Sequence, residues 1–198
     1  MIYYRDSVTE ASWQLLKELK RQFKFCLIGG WAVWLYTRRL KSKDIDLVVG
    51  PEELGRIRRK YELFKNERLK KYEFRQGEAQ VDVYPAYYSD LGVKAEKILT
   101  DCRIVEGFLV PAPELLFILK LVAWLGRKSS PKGRKDLIDL ISLLQTQKLA
   151  KSKLKHAGMK ILVKELKLLV SLPELNLNQQ QLVRAKKDWP ASLITSQK

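Results

Sequence analysis

The sequence predicts a mixed α/β protein of the α+β type, in which a half of strands and helices precedes a half made of helices alone. Two observations lead to this prediction. Up to about residue 110, short apolar runs that end at glycine or proline alternate with segments of helical periodicity. From Pro113 onward, apolar residues recur only at helical spacing. We therefore expect a core domain over residues 1–110, a helical region packed on it over 111–190 and a frayed tail over 191–198.

Helix caps, apolar runs and turn residues define the elements of the first half. Ser7 and Glu10 have the spacing of a capping box, which opens the first helix, and Gly29-Gly30 ends the first apolar strand. Gly77-Glu78 separates the arms of a hairpin. In order, we predict a helix over 8–22, a strand over 23–28, a helix over 31–37, a strand over 44–49, a helix over 51–64, hairpin strands over 72–76 and 79–84, a helix over 91–100 and hairpin strands over 103–105 and 108–110.

The second half shows helical patterns throughout. Residues 113–126 are apolar nearly all round, which predicts a buried helix. A basic loop rich in serine, proline and glycine follows it, and residues 134–144 form an amphipathic pattern. Two further basic helices are predicted over 151–170 and 178–187, separated by Pro173.

Charge is the unusual feature of the composition. The chain has 38 Lys and Arg against 22 Asp and Glu, a formal net charge of +16. An excess of this size favours a polyanionic partner, such as nucleic acid, nucleotide phosphate or an acidic membrane surface. The alternative is a lysine-rich surface that only maintains solubility, or stability at high temperature.

The two cysteines and the N-terminal sequence bear on the compartment. Cys26 and Cys102 lie in apolar or strand-like sequence, so we expect reduced core thiols, too few for a structural zinc site. Charges throughout residues 1–20 argue against a signal peptide, and no apolar run approaches transmembrane length. We expect a cytoplasmic protein with no membrane partner.

Two aspartates one residue apart mark one predicted strand as the candidate functional element. Side chains at i and i+2 of a strand point to the same face, so Asp44 and Asp46 project together. Asp82 alternates with Val81 and Val83 and therefore leaves the core face of its strand. If the two strands are neighbours, three carboxylates meet at one sheet edge. Such a set suits two Mg²⁺ ions, with Mn²⁺ as the alternative, and Asp82 would contact the ion that activates a hydroxyl and accept its proton.

The glycine pair adds a phosphate-binding feature. Glycine lets the backbone turn sharply and lets a phosphate approach its N–H groups, with a helix N-terminus just behind. Alone, Gly29-Gly30 is weak evidence for phosphate binding, because strand-to-helix turns often need glycine for geometry only. A lone Asp-x-Asp is likewise more often a solvated strand face than a metal site. Thirteen residues separate Gly30 from Asp44, and the combination with the later Val-Asp-Val strand is much more specific.

With these residues the chain resembles the nucleotidyltransferase superfamily of the DNA polymerase β type, whose pattern is Gly-Gly or Gly-Ser, a spacer and Asp-x-Asp. More narrowly, Gly29-Gly30-Trp31-Ala32 and Asp44-Ile45-Asp46 are similar to the AbiEii-type branch, which includes toxins of toxin–antitoxin systems. The resemblance implies a nucleotidyltransferase fold, with a small mixed sheet flanked by helices, and a metal-dependent nucleotidyltransferase reaction that releases pyrophosphate.

The resemblance also assigns nucleotide-binding roles, beginning with Gly29 and Gly30. Ser42 stands where the branch usually has threonine. Leu40 occupies the usual arginine position, so either of the preceding Arg38 and Arg39 could reach a phosphate, and we take Arg39 as the candidate. Lys120, in a helix similar to the branch's Lys-x-x-Ala-x-x-x-Arg helix, would contact the triphosphate.

Asp136 and Asp139 lie in a segment that is similar to the following Arg-x-Asp-x-x-Asp-Leu helix of the branch. By that likeness Asp136 would anchor the helix or orient Lys120. The alternatives are that Lys120 reaches the surface from an apolar helix, and that the two acids are favoured only by the helix dipole.

The donor chemistry is better defined than the acceptor. The resemblance implies an NTP donor, and the positive charge favours an RNA acceptor, with a tRNA 3′ end as the best guess and the basic run from Lys151 to Lys167 gripping phosphates. The alternatives are an AMPylating enzyme with a protein acceptor and a non-catalytic module of the same fold that binds nucleic acid or a partner. A toxin role, with a cognate antitoxin as partner, follows from the branch likeness alone.

Overall fold

A mixed β-sheet and six α-helices make up most of the part of the chain that this computed structural model describes, namely residues 6–154, 158, 161, 162 and 164. The chain divides into two compact units, Met1–Lys148 and Leu149–Lys198. The described helices of the first unit are α1 (Asp6–Gln22), α2 (Gly29–Thr37), α3 (Pro51–Lys60), α4 (Ala95–Thr100), α5 (Pro113–Arg127) and α6 (Pro131–Thr146). Its described strands are β1 (Cys26–Ile28), β2 (Asp44–Val49), β3 (Phe64–Asn66), β4 (Lys71–Gln76), β5 (Ala79–Pro85), β6 (Cys102–Val105) and β7 (Phe108–Pro111).

The order of strands in the sheet places the two predicted acidic strands side by side. The order is β3-β4-β5-β2-β1-β7-β6. β2 runs parallel to β5 and β1 runs parallel to β7, whereas the other neighbouring pairs are antiparallel. β2 is therefore a central strand with β5 on one side and β1 on the other, and the N-terminus of α2 follows directly from β1.

A cluster of tryptophans fixes α2 against α1. The rings of Trp13, Trp31 and Trp34 lie with centroids 4.9 to 5.5 Å apart. Trp31 is only 1% exposed, and its indole N–H donates to Ser12 Oγ at 2.9 Å. A buried indole that has its hydrogen-bond partner contributes both apolar area and a fixed orientation. The packing thus holds the first turn of α2 in place beside the sheet.

Helices α5 and α6 pack on each other and on α2. Both begin with proline at their first turn, where the missing N–H costs no intrahelical hydrogen bond. Ser130 caps α6 by accepting a hydrogen bond at 3.1 Å from the Gly133 backbone N–H. These two helices are the start of the region predicted to be helical, and they belong to the same compact unit as the sheet.

The predicted mixed α/β fold is confirmed, although several of its elements differ from the prediction. The first strand covers only Cys26–Ile28, and the last described α-helix runs from Pro131 to Thr146. The first helix residues are Gly29 and Gly30 themselves, rather than a turn before the helix. The third helix ends at Lys60, and a short strand, Phe64–Asn66, follows at the sheet edge. The helix predicted over 91–100 begins only at Ala95, because Gly92 has a φ of +80°, in the left-handed region that interrupts a helix.

Little of the second unit is described. Lys151–Lys153 form a short 3₁₀ turn where a long helix is predicted, and Ile161, Leu162 and Lys164 are helical. The remainder of that helix, the helix predicted over 178–187 and the tail over 191–198 lie outside the described residues. Among the helices that are described, none combines the length and the apolar character needed to cross a bilayer.

Candidate active site

The register of β2 and β5 brings the three predicted aspartates to one cleft. Asp46 lies opposite Asp82, and Asp44 lies opposite Gln80, two residues earlier on both strands. Neighbouring strands are about 4.8 Å apart, and paired residues project to the same face of the sheet. Asp44, Asp46 and Asp82 all line a cleft of about 430 Å³ between the sheet, the start of α2 and helices α5 and α6.

The aspartates in the cleft repel one another. Burial, followed by the negative charge of Asp82, raises the pKa of Asp46 to about 6, and Asp44 adds to the shift. The positive charges of Lys120 and Lys71 act in the opposite direction. A cleft that brings carboxylates together against their mutual repulsion is suited to a cation or to proton transfer.

Gly29 allows the backbone of α2 to approach Asp46 at a distance that no side chain would permit. Its φ is +70°, and a Cβ atom there would lie 2.0 Å from Asp46 Oδ2. Residue 28, which precedes the helix, provides no side-chain hydrogen bond to its first turn. The N–H groups of that turn and the positive end of the helix dipole are therefore available to an anion beside the aspartates.

Gly30, Ser42 and Lys135 form a second close contact in the cleft. A Cβ atom on Gly30 would lie 2.7 Å from Ser42 Oγ and 2.9 Å from Lys135 Nζ. Lys135 is buried and donates a hydrogen bond to Ser42 Oγ at 3.2 Å. Burial lowers the pKa of Lys135. The hydroxyl and the ammonium are thus held at the start of α2, beside the N–H groups of its first turn.

Lys71 is paired with the third aspartate. Its ammonium donates to Asp82 Oδ2 and also lies 3.2 Å from Glu73 Oε1. The other oxygen, Asp82 Oδ1, accepts a hydrogen bond from Gln80 Nε2 at 2.9 Å. Although burial opposes the charged form, the hydrogen bond to Asp82 raises the pKa of Lys71. Both oxygens of Asp82 therefore already accept hydrogen bonds from protein groups.

Lys120 is tied into an ion-pair network between α5 and α6. Its Nζ lies 2.7 Å from Asp139 Oδ2 and 3.3 Å from Asp136 Oδ1. Asp136 also accepts two hydrogen bonds from Arg127, at 2.7 Å from Nε and 3.1 Å from Nη2. Burial opposes the charge on Lys120, but Asp139 and Asp136 outweigh it and raise its pKa. Asp136 and Asp139 thus both contact the Lys120 ammonium and hold it between α5 and α6.

The structure does not bring Arg39 to the cleft. Arg39 is exposed in the bend after α2, and its backbone N–H donates to Thr37 Oγ1 at 3.3 Å. Its neighbour Arg38 forms an ion pair with Glu106 and lies over the Trp34 ring. The cationic side chains that line the cleft are Lys71, Lys120, Arg127, Lys132 and Lys135.

The sequence pattern gave a site role to only one of these cations, Lys120; the other four are Lys71, Arg127, Lys132 and Lys135. Lys135 precedes Asp136 in a segment singled out for its acids, and an alternation of charge along α6 is the signal that would have pointed to it. Lys71 follows another lysine, Lys70, and nothing in the local pattern distinguishes the two. Only the pairing of β4 with β5 places Lys71 beside Asp82.

The aspartates fit a divalent cation only in part. Asp44 and Asp46 provide adjacent carboxylates on one strand, the hard oxygen ligands that Mg²⁺ prefers, and the remaining ligands would come from phosphate oxygens and water. Asp82 does not complete a three-residue set, because its oxygens accept from Lys71 and Gln80. Across the described residues, no three acidic, histidine or cysteine side chains are arranged to hold one metal ion.

Several solved structures are similar to this chain in fold, and one of them is described as nucleotidyltransferase-like. An antigenic nucleotidyltransferase-like protein from Paracoccidioides brasiliensis has a TM-score of 0.52 and 17% identity, covering 90% of this chain and 93% of its own. ANT(2″)-Ia in complex with adenylyl-2″-tobramycin has a TM-score of 0.50 and 17% identity, with 76% of this chain and 93% of its own covered. JHP933 from Helicobacter pylori has a TM-score of 0.51 and 15% identity, with 93% of both chains covered.

At these identities the similarity establishes the fold, and the predicted nucleotidyltransferase fold is confirmed. No protein-family model and no curated protein matches the sequence. The AbiEii-type branch stays a prediction.

Proposed function

We propose that this protein is a nucleotidyltransferase, which transfers a nucleoside monophosphate from an NTP to a hydroxyl group of an acceptor and releases pyrophosphate. The observation that carries the proposal is the pairing of Asp46 with Asp82 in one cleft with the glycine-led N-terminus of α2. Positively charged side chains line the same cleft. The cleft therefore contains carboxylates that can act on the reacting atoms and cations that can bind a triphosphate.

The triphosphate would bind at the start of α2. The uncapped N–H groups of the first turn, the Ser42 hydroxyl and the Lys135 ammonium are positioned to donate hydrogen bonds to its oxygens. Lys132, on the first turn of α6, lies 4.0 Å from Asp44 and is largely exposed, so it is free to turn toward a phosphate. A divalent cation held by Asp44 and Asp46 would neutralise phosphate charge and stabilise the leaving pyrophosphate.

The acceptor hydroxyl would approach from the side of Asp82. Its oxygen attacks the α-phosphorus, the new O–P bond forms, and the bond from that phosphorus to the bridging oxygen breaks, with its electron pair leaving on pyrophosphate. The hydroxyl proton passes to Asp82. A carboxylate has about four lone-pair positions, so Asp82 retains a site for this proton after accepting from Lys71 and Gln80.

RNA is the acceptor we favour, with a tRNA 3′ end as the specific candidate. The formal charge of +16 supports an RNA acceptor, because each phosphate that the protein neutralises increases the affinity for a polyanion. A protein hydroxyl, which would make the enzyme AMPylating, is the rival acceptor, and a non-catalytic module is the rival outside enzymes. A cationic aminoglycoside is disfavoured as acceptor, because lysine and arginine side chains line the cleft alongside its aspartates and would repel a positively charged substrate. A toxin role with a cognate antitoxin would follow from the AbiEii-type likeness.

The test is label transfer from each α-labelled NTP to total tRNA in the presence of Mg²⁺. The double variant Asp44→Asn/Asp46→Asn is the test variant, and Asp101→Asn, an exposed carboxylate at the end of α4, is the matched control. We expect labelled RNA with the wild type and with Asp101→Asn, and none with the double variant. Label on a protein band would identify the rival acceptor. Nucleotide binding without transfer to any acceptor would favour the non-catalytic module.

A further inference from the structure

The third aspartate of the cleft already has a cation of its own. Lys71 is 5% exposed, and its ammonium contacts Asp82 Oδ2 and Glu73 Oε1. β4 and β5 fix this arrangement, because Glu73 lies directly opposite Asp82 in their antiparallel pairing and Lys71 stands on the same strand two residues earlier. Lys71 therefore lies on the same face as Glu73, and its long side chain bridges the two carboxylates.

A second divalent ion at Asp82 would have to displace this ammonium. Asp82 Oδ1 accepts from Gln80 and Asp82 Oδ2 accepts from Lys71, so an ion there would lie a few ångströms from a fixed positive charge. Like charges at that distance repel strongly in a buried site. Asp44, in contrast, lies 4.0 Å from the largely exposed Lys132, and Asp46 accepts a 3.5 Å hydrogen bond from the Tyr84 hydroxyl.

We propose that Lys71 takes the place of the second cation, so that the active site binds a single divalent ion, at Asp44 and Asp46. The proposal rests on the proposed nucleotidyltransferase function and departs from the two ions that the three carboxylates led us to expect. Lys71 is a positioning residue: it holds Asp82 in the orientation that receives the acceptor proton, and its charge stabilises the negative charge that develops on the attacking oxygen.

The proposal predicts the number of ions and their spacing. Two Mn²⁺ ions bound about 4 Å apart are magnetically coupled, whereas a single ion is not. The experiment measures Mn²⁺ stoichiometry and the electron paramagnetic resonance spectrum of the full chain, saturated with the α,β-methylene analogue of each of the four NTPs in turn. The variants are Lys71→Met and, as the matched control, Lys65→Met, a partly exposed lysine of β3 that pairs with Glu67.

We expect one uncoupled Mn²⁺ per chain in the wild type and in Lys65→Met, and a coupled pair in Lys71→Met, where Asp82 is free to bind metal. A coupled pair in the wild type overturns the proposal, and this result does not depend on whether Lys71→Met folds. One uncoupled ion in every variant also overturns it, because Lys71 would not then be what excludes the second ion. Label transfer to RNA is measured separately, so failure of the single-ion proposal leaves the proposed function standing. If neither the wild type nor any variant binds Mn²⁺, both the single-ion proposal and the proposed function fail.

Discussion

Asp46 on β2 and Asp82 on β5 are direct partners in a parallel strand pair, and the negative charge of Asp82 adds to the burial that raises the pKa of Asp46. The pair holds two carboxylates on adjacent strands where neither strand can move without disturbing the centre of the sheet. Rigid placement of this kind is what a metal or proton-transfer site requires, because the two groups stay in position despite their repulsion. The cost of holding them together appears as a pH-dependent loss of stability.

The first prediction concerns Asp46→Asn. The pKa of Asp46 is about 6 in the folded protein and 3.8 as its ordinary value, so the folded state binds the proton more tightly than the unfolded chain does. The contribution of this group is therefore most favourable below pH 4 and is lost as pH rises from about 4 to 6. Asp46→Asn should raise the free energy of unfolding of the metal-free protein by up to about 3 kcal/mol at pH 8, and by much less near pH 4.

Urea denaturation of both proteins from pH 4 to 8, without divalent ions, measures this difference. Asp101→Asn, at an exposed site, should show no such pH-dependent gain. Added Mg²⁺ with nucleotide should stabilise the wild type and have little effect on Asp46→Asn. A variant less stable than the wild type at pH 8 would mean that the carboxylate has a structural partner that outweighs its repulsion.

The second prediction concerns Gly29→Ala. A Cβ atom there would lie 2.0 Å from Asp46 Oδ2 in a residue with φ of +70°, so the substitution combines a clash with a left-handed backbone. We expect a loss of more than about 1 kcal/mol of stability and loss of nucleotide binding. Gly55→Ala is the matched control, because that helical glycine of α3 has only Arg59 Nη1 at 4.0 Å and should gain about 0.5–1 kcal/mol. Thermal unfolding and nucleotide titration measure both effects, and equal behaviour of the two variants would contradict the argument.

The sequence predicted the acidic strand of this site with its bounds intact. β2 is Asp44–Val49 as predicted, because apolar residues alternate with Asp44 and Asp46 and Gly50-Pro51 ends the run. The hairpin strands β4 and β5 also follow the prediction within one residue at each end, since Gly77 supplies the turn between them with a φ of +58°. Local pattern is sufficient where a strand alternates and a glycine closes it.

Elsewhere the deciding interactions are distant in the sequence. β3 has three residues, two of them exposed and none fully buried, and it is a strand only because β4 lies beside it. Lys71 and Lys135 reach the cleft through strand pairing and helix packing, across 11 and 93 residues from the partners Asp82 and Ser42. A sequence pattern cannot distinguish such lysines from the many others in a chain of this charge.

The third prediction concerns the contact between Gly30 and Ser42. Alanine at residue 30 would place its Cβ 2.7 Å from Ser42 Oγ and 2.9 Å from Lys135 Nζ, so Gly30→Ala should cost about 1–3 kcal/mol. Ser42→Gly removes the hydroxyl and the Cβ atom that cause the clash. The double variant should therefore recover most of the stability lost by Gly30→Ala, with a coupling energy between the two sites. Nucleotide affinity should stay low in both variants that lack the hydroxyl, and simple additivity of the stabilities would refute the contact.

The last prediction separates two roles of Lys120. Its ammonium forms an ion pair with Asp139 at 2.7 Å and a longer one with Asp136 at 3.3 Å. Asp136 also pairs with Arg127, so it retains a cationic partner when Lys120 is replaced. Lys120→Met leaves Asp139 as a buried carboxylate without this partner, which should destabilise the protein by about 3–5 kcal/mol. In Lys120→Met/Asp139→Asn the buried charge is gone as well, so this double variant should be more stable than Lys120→Met alone.

Urea denaturation of the single and double variants measures that recovery, with Lys128→Met, an exposed lysine just after α5, as the matched control that should change stability by less than about 0.5 kcal/mol. Nucleotide titration of the double variant then reports on the second role. If Lys120 also contacts the triphosphate, affinity stays reduced although the fold has recovered, because neither methionine nor asparagine replaces the charge. Recovery of both stability and affinity would assign Lys120 to the ion-pair network alone, and the triphosphate would then depend on Lys135, Lys132 and the N-terminus of α2.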